Sequence, residues 1–121
     1  MDELIGRLVA NIGVDKAIAE KAVGIILQFL VKEGPADQVQ ALLAMLPGAD
    51  KAIAETPPDT GGMSLFGSGV IAAGTRMMGL GLSMDQVQGI TRETISFARE
   101  RAGEDVVGQI VGALPGLSQF I

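Results

Sequence analysis

Few residues in this chain carry side chains able to do bond-making chemistry, and the triplet Asp59-Thr60-Gly61 is the first to test. It matches the Asp-Thr-Gly of aspartic proteases, whose reaction needs two such aspartates sharing a proton, each presented by β-structure. Here the triplet follows Thr56-Pro57-Pro58 and has no second copy, so it reads as turn chemistry. Gly67-Ser68-Gly69 with Gly74 faintly suggests a phosphate-binding turn at a helix start. It lacks the preceding strand and acidic ribose ligand of a dinucleotide site, and the Gly-Lys-Ser/Thr of a P-loop. Glu104-Asp105 is the tightest acidic pair and could in principle hold a hard cation. Its place in the first turn of a helix explains it by the macrodipole instead, as for Asp37. Arg92, Arg99 and Arg101 are interleaved with Glu93 and Glu100, the pattern of a solvated mixed-charge face.

Composition narrows the chemistry further. The 121 residues include no His, Cys, Trp or Tyr, which removes Ser-His-Asp and Cys-His nucleophiles, His-ligated haem and zinc sites of the Cys/His kind. No cofactor or metal is expected, and no enzyme mechanism is visible. A net charge of −5 and the scarcity of aromatic residues argue against nucleic acid. The opening Met1-Asp2-Glu3 lacks the positive region of a signal peptide, so a cytoplasmic location is expected. Met63 to Leu82 is long and apolar, but it is rich in glycine and broken by Arg76. It reads as a loop leading into a buried helix, and a membrane span is not expected.

The elements that must position these residues read as helices throughout. Asp2 caps a helix to about Asn11, with Leu4, Ile5, Leu8, Val9 and Ile12 as its apolar stripe and Gly13 as its stop. Asp15 caps a longer helix ending near Glu33 at Gly34-Pro35. A third begins near Ala36 or Asp37, carries Val39, Leu42, Leu43 and Leu46, and stops at Pro47-Gly48; a short turn follows through Ile53. Glu55 to Gly62, ETPPDTGG, is the clearest linker. Gly69–Leu80 reads as a helix rich in small residues, and Gly69/Ala73 and Gly74/Met78 suggest ridges for close helix approach. Ser83 caps a helix from Met84 to about Arg101, and Glu104–Ala113 closes the pattern before Pro115-Gly116.

A shift of 68 residues lays Met1–Ile53 on Gly69–Ile121 without a gap. Nine of the 53 positions are identical, where about four or five follow from composition. The identities include Gly13/Gly81, Phe29/Phe97 and both Leu-Pro-Gly stops, Leu46-Pro47-Gly48 and Leu114-Pro115-Gly116. The expected fold is therefore a single all-α domain, a helical bundle of two pseudo-symmetric three-helix repeats: repeat 1–53, linker 54–68, repeat 69–121.

Helix, glycine, capped long helix, short helix and Leu-Pro resembles the repeated unit of small bacterial all-helical domains of the VcgC/VcgE type. The carriers are Ala44-Met45-Leu46-Pro47, Gly112-Ala113-Leu114-Pro115 and the stretch GLGLSMDQVQGITRETISFARERAGEDVVGQIVGALPG. The resemblance implies a helical fold and brings no catalytic residue.

The two long helices differ. Ala22–Val31, AVGIILQFLV, is apolar almost all round, with Gln28 its only strongly polar side chain. Such a helix is either the centre of the bundle or lends an extra face, around Ile25 and Phe29, to a homodimer; the central position is preferred. Ile90–Arg99 is amphipathic, with Ile90, Thr94, Ile95, Phe97 and Ala98 inward and Arg92, Ser96 and Arg99 outward. Met63, Leu65 and Phe66 form an adaptable apolar segment that could meet a partner or a membrane surface. The expected role is a non-enzymatic structural or interaction module. The alternative is a binder of a small apolar ligand or membrane surface through the space between repeats.

Overall fold

The structure, a computed structural model, describes residues 2–56 and 70–114. Its elements are α1 (Asp2–Ile12), α2 (Lys16–Glu33), α3 (Ala36–Ala44), α4 (Ala49–Glu55), α5 (Val70–Met78), α6 (Met84–Ala102) and α7 (Glu104–Ala113). Regular structure among the described residues is helical throughout. No helix there is long and apolar enough to cross a membrane.

Local sequence explains most boundaries. Gly13 and Gly81 sit at φ of +81° and +94°, a region costly for residues bearing a Cβ, and they turn the chain after α1 and α5. Ser83 starts α6 with a reciprocal cap. Its hydroxyl accepts from the Gln86 amide at 3.2 Å, and its own amide donates to Gln86 Oε1 at 2.9 Å. Asp15 holds the matching extended conformation before α2 but makes no side-chain cap bond. Asp2 lies inside α1 as its first residue rather than capping it. α3 stops at Ala44, two residues before the expected Leu46, because the amides of Met45 and Leu46 donate to the carbonyls of Leu42 (2.9 Å) and Leu43 (3.1 Å), three residues back, and so tighten the last turn. Leu46 still reaches the core.

α2 is the central helix. It packs against α1, α3, α4, α5 and α6, which bury Ala22, Val23, Ile26, Leu27 and Leu30. Ile25 and Phe29 are also covered within the chain, at 5% and 8% exposure. α6 buries Val87, Ile90, Ile95, Phe97 and Ala98 and leaves Arg92 and Arg99 outside, as its amphipathic pattern requires; Ser96 is half-buried. Thr91 and Thr94 enter the same core at little cost, since their hydroxyls donate to the carbonyls of Val87 (2.9 Å) and Ile90 (2.8 Å). Val9, expected on the inner stripe of α1, is exposed. It sits one residue beyond Leu8, and the two helices that cover α1, α2 and α6, take the Leu4, Ile5 and Leu8 side.

The close helix approaches fall elsewhere than the small-residue ridge suggests. Among the described residues nothing lies within 4 Å of where a Cβ on Gly74 would be. Among the described glycines inside helices, the tight contacts are at Gly24, where a Cβ would stand 1.8 Å from Thr56 Oγ1 and 3.0 Å from the Ala52 carbonyl, and at Gly89, 2.6 Å from Ile12 Cδ1. Gly24 is thus the notch in α2 that admits α4. Ala52 and Thr56 are themselves tied together, the Thr56 hydroxyl donating to the Ala52 carbonyl at 2.7 Å.

Candidate functional site

Two surface features stand out once the helices are in place. The first is a valley of about 590 Å³ whose floor is the N-terminal half of α2, with α1 on one side and α4 on the other. Ile5, Ala17, Val23 and Ala52 give it an apolar lining, while Asp2, Glu3, Glu20, Lys21, Lys51 and Glu55 stand around it. Pro47, Gly48 and Thr56 complete it at the two ends of α4. The volume lies within the range of small-molecule sites, and the lining mixes apolar contact with charge of both signs. Lys51 and Glu55 face each other at 4.0 Å along α4, an exposed pair of the i,i+4 kind. The valley is built by the helices of the first half of the chain alone.

The second feature is a four-charge clasp between α1 and α6. Arg7 binds Glu100 with both guanidinium nitrogens, at 2.7 and 2.8 Å, and also faces Glu3 at 3.6 Å. Arg101 binds Glu3. Both guanidinium groups lie over the ring of Phe97, at 5.3 Å for Arg7 and 5.0 Å for Arg101, within cation–π range. The buried ring thus supports two cations, and each cation is closed by a carboxylate. The hydrogen bond from Arg7 is the main reason the Glu100 carboxyl is held below its ordinary range, and the same bond raises Arg7. With Ile12 against Gly89, Arg7 near Phe97 and Glu3 at Arg101, α1 runs antiparallel to α6.

Elsewhere Arg76 on α5 donates to Gln28 on α2, so the one polar residue of the apolar run is satisfied. Gln38 on α3 donates to Gln109 on α7 at 2.6 Å. Met45, Met78 and Met84 are exposed, whereas Met77 is buried.

The residues expected to meet a partner fall in two places. Ile25 and Phe29 belong to the core around α2. Met63, Leu65 and Phe66 lie outside the described residues, as do Asp59-Thr60-Gly61 and Gly67-Ser68-Gly69. Glu104 and Asp105 occupy the first turn of α7, and Asp37 that of α3, the end of each helix where the macrodipole favours negative charge. Among the described residues no three acidic side chains are grouped to hold a metal ion. Sequence reasoning missed both the valley and the clasp. The signal for the clasp was present: Glu3 and Arg7 share one face of α1, and Phe97, Glu100 and Arg101 one face of α6.

No family model matches the chain, and no curated protein or solved structure matches it either.

Proposed function

We propose that the chain is a non-enzymatic protein-interaction module, folded as two pseudo-symmetric three-helix repeats, with the α1–α2–α4 valley as its docking face. The repeat reading is supported by the 68-residue offset. It carries Lys16–Glu33 of α2 onto positions 84–101, against α6 at Met84–Ala102, and α3 onto 104–112, inside α7. The positive-φ glycines Gly13 and Gly81 correspond, and burial corresponds at Val14/Leu82, Ala22/Ile90, Leu27/Ile95, Val39/Val107, Leu42/Ile110 and Leu46/Leu114. The crossings correspond too: α1 on α6 has its mate in α5 on α2, and α3 meets α7, its own counterpart. The resemblance to VcgC/VcgE-type domains agrees with this architecture and adds no site residue.

The docking reading is carried by the solvent-open valley and by its asymmetry. α4 seats on α2 at Gly24; the matching position on α6 is Arg92, which is exposed. The valley's apolar lining also favours a second reading, a small apolar ligand. A photoreactive amino acid in place of Lys51, used in living cells with and without Ala17→Trp to fill the valley, separates the two. A discrete protein adduct that Ala17→Trp abolishes supports the docking face. A small-molecule or lipid adduct supports the second reading, and no adduct that depends on Ala17 refutes both.

A further inference from the structure

The clasp acquires a meaning when it is compared with what the same surface would meet in an identical repeat. We propose that the α1–α6 crossing is a charge register that makes the N-terminal half recognise the C-terminal half and reject its own kind, in this chain or in a second copy. The inference rests on the repeat reading above.

The observation is one of sign. Arg7 closes on Glu100 and Glu3 on Arg101, with both cations over Phe97. Sixty-eight residues earlier, the counterparts of Phe97, Glu100 and Arg101 are Phe29, Lys32 and Glu33. The ring is kept and both charges are reversed. If two N-terminal halves paired across this crossing, Arg7 would face Lys32 and Glu3 would face Glu33. Both attractive pairs become repulsive, which is how natural interfaces exclude a wrong partner of the right shape. Shape acts in the same direction. Ile12 seats against Gly89, whose counterpart is Lys21, so an N-terminal half also lacks the notch that receives Ile12.

Two C-terminal halves fare differently. The counterparts of Glu3 and Arg7 in α5 are Ile71 and Thr75, which carry no charge. Such a pair would meet no repulsion at Glu100 and Arg101 but would gain no ion pair there either. The register is therefore written at one of the two quasi-equivalent crossings, and only the mixed pairing satisfies it. A second copy of this chain can satisfy it as well, by reciprocal exchange of halves.

The test uses full-length chains. Glu100→Lys with Arg101→Glu gives α6 the signs of α2; Glu3→Arg with Arg7→Glu reverses α1. Each double variant is expected to unfold at lower urea than the parent, and the quadruple variant to recover at least half of the lost midpoint. It does not recover all of it, because two guanidinium contacts with Phe97 are gone. If either double variant fails to fold, recovery in the quadruple variant still decides the matter. The recognition claim is read by mixing the two double variants in denaturant and refolding them together. Their reversed α1 and reversed α6 match each other, and the untouched halves match as well. Native mass spectrometry should show a mixed dimer in excess of what either variant forms alone, an excess that fades at high salt. No recovery in the quadruple variant, or no excess of mixed dimer, overturns the register. The repeat reading fails separately, if the backbone of residues 13–46 in an experimental structure does not superpose on that of residues 81–114.

Discussion

The notch at Gly24 allows the packing of α4 to be tested with a single methyl group. In an open helix, glycine to alanine stabilises by about 1 kcal/mol through backbone entropy. At Gly24 the new Cβ would stand 1.8 Å from Thr56 Oγ1, 3.2 Å from Thr56 Cβ and 3.0 Å from the Ala52 carbonyl. Rotating Thr56 relieves only the first contact and breaks the hydroxyl's bond to Ala52, worth about 0.5–1.5 kcal/mol. Overpacking of this kind costs about 1–3 kcal/mol. Setting the helix gain against both losses leaves Gly24→Ala destabilised by about 0.5–3.5 kcal/mol, with a middle value of about 2 kcal/mol. With about 2 kcal/mol per molar for the urea dependence of a small domain, the midpoint falls by about 1 M at that middle value. Gly89→Ala is the control, because the only side chain in its way is the flexible tip of Ile12. It is expected to stay within about 0.5 kcal/mol of the parent. In a Thr56→Gly background the cost of Gly24→Ala should shrink by half or more. The measurement is urea unfolding followed by far-ultraviolet circular dichroism on all five chains: the parent, the three single variants and the Gly24→Ala, Thr56→Gly double variant. If Gly24→Ala unfolds at or above the parental midpoint, α4 does not sit on α2 as described.

Two further outcomes follow from the site and the caps. Because Arg7 lowers the Glu100 carboxyl, the folded-state pKa lies below the unfolded one, so the stability this carboxylate contributes is present above the unfolded value. That contribution disappears as pH falls through the folded pKa. Glu100→Gln should therefore unfold earlier than the parent at pH 7, with the gap closing in strong acid, when thermal unfolding is followed from pH 7 to pH 2. Ser83→Ala removes a reciprocal cap and is expected to cost about 1 kcal/mol. Asp15→Ala removes a side chain that makes no cap bond and should cost less, a ranking that the same urea titration would reverse if the caps were misassigned.

The helices were legible because their ends are written in residues that act locally. Gly13, Gly34-Pro35, Pro47-Gly48, Gly81 and Ser83 each stop or start a helix whatever lies around them. The even hydrophobicity of Ala22–Val31 likewise identified the helix that would be wrapped. What could not be read is where distant surfaces meet. The Gly74 ridge looked suited to close approach, yet the notches are at Gly24 and Gly89, because a glycine becomes a notch only if a neighbour's ridge lands on it. Val9 fits the apolar spacing of α1, but its direction is decided by how α2 and α6 divide that helix between them. The clasp joins residues 93 and 98 positions apart, beyond the reach of any local pattern. The valley exists only because α1 and α4 both lie on α2 without closing on each other.

The antiparallel seating of α1 on α6 bears on how the chain comes to be folded at all. A helix near the start of the chain waits for partners 93 and 98 residues downstream. At about 5–20 residues per second, a translating ribosome needs roughly 5–20 s to deliver them. During that interval α6, one of the two helices with the main packing on α1 among the described residues, is absent, and Arg7 and Glu3 lack Glu100 and Arg101. The nascent first half is thus a species with exposed apolar surface and no rightful partner yet, the condition under which chains in a polysome aggregate. The mismatch of Arg7 with Lys32 and Glu3 with Glu33 would then act earliest where it is most needed, between neighbouring unfinished chains.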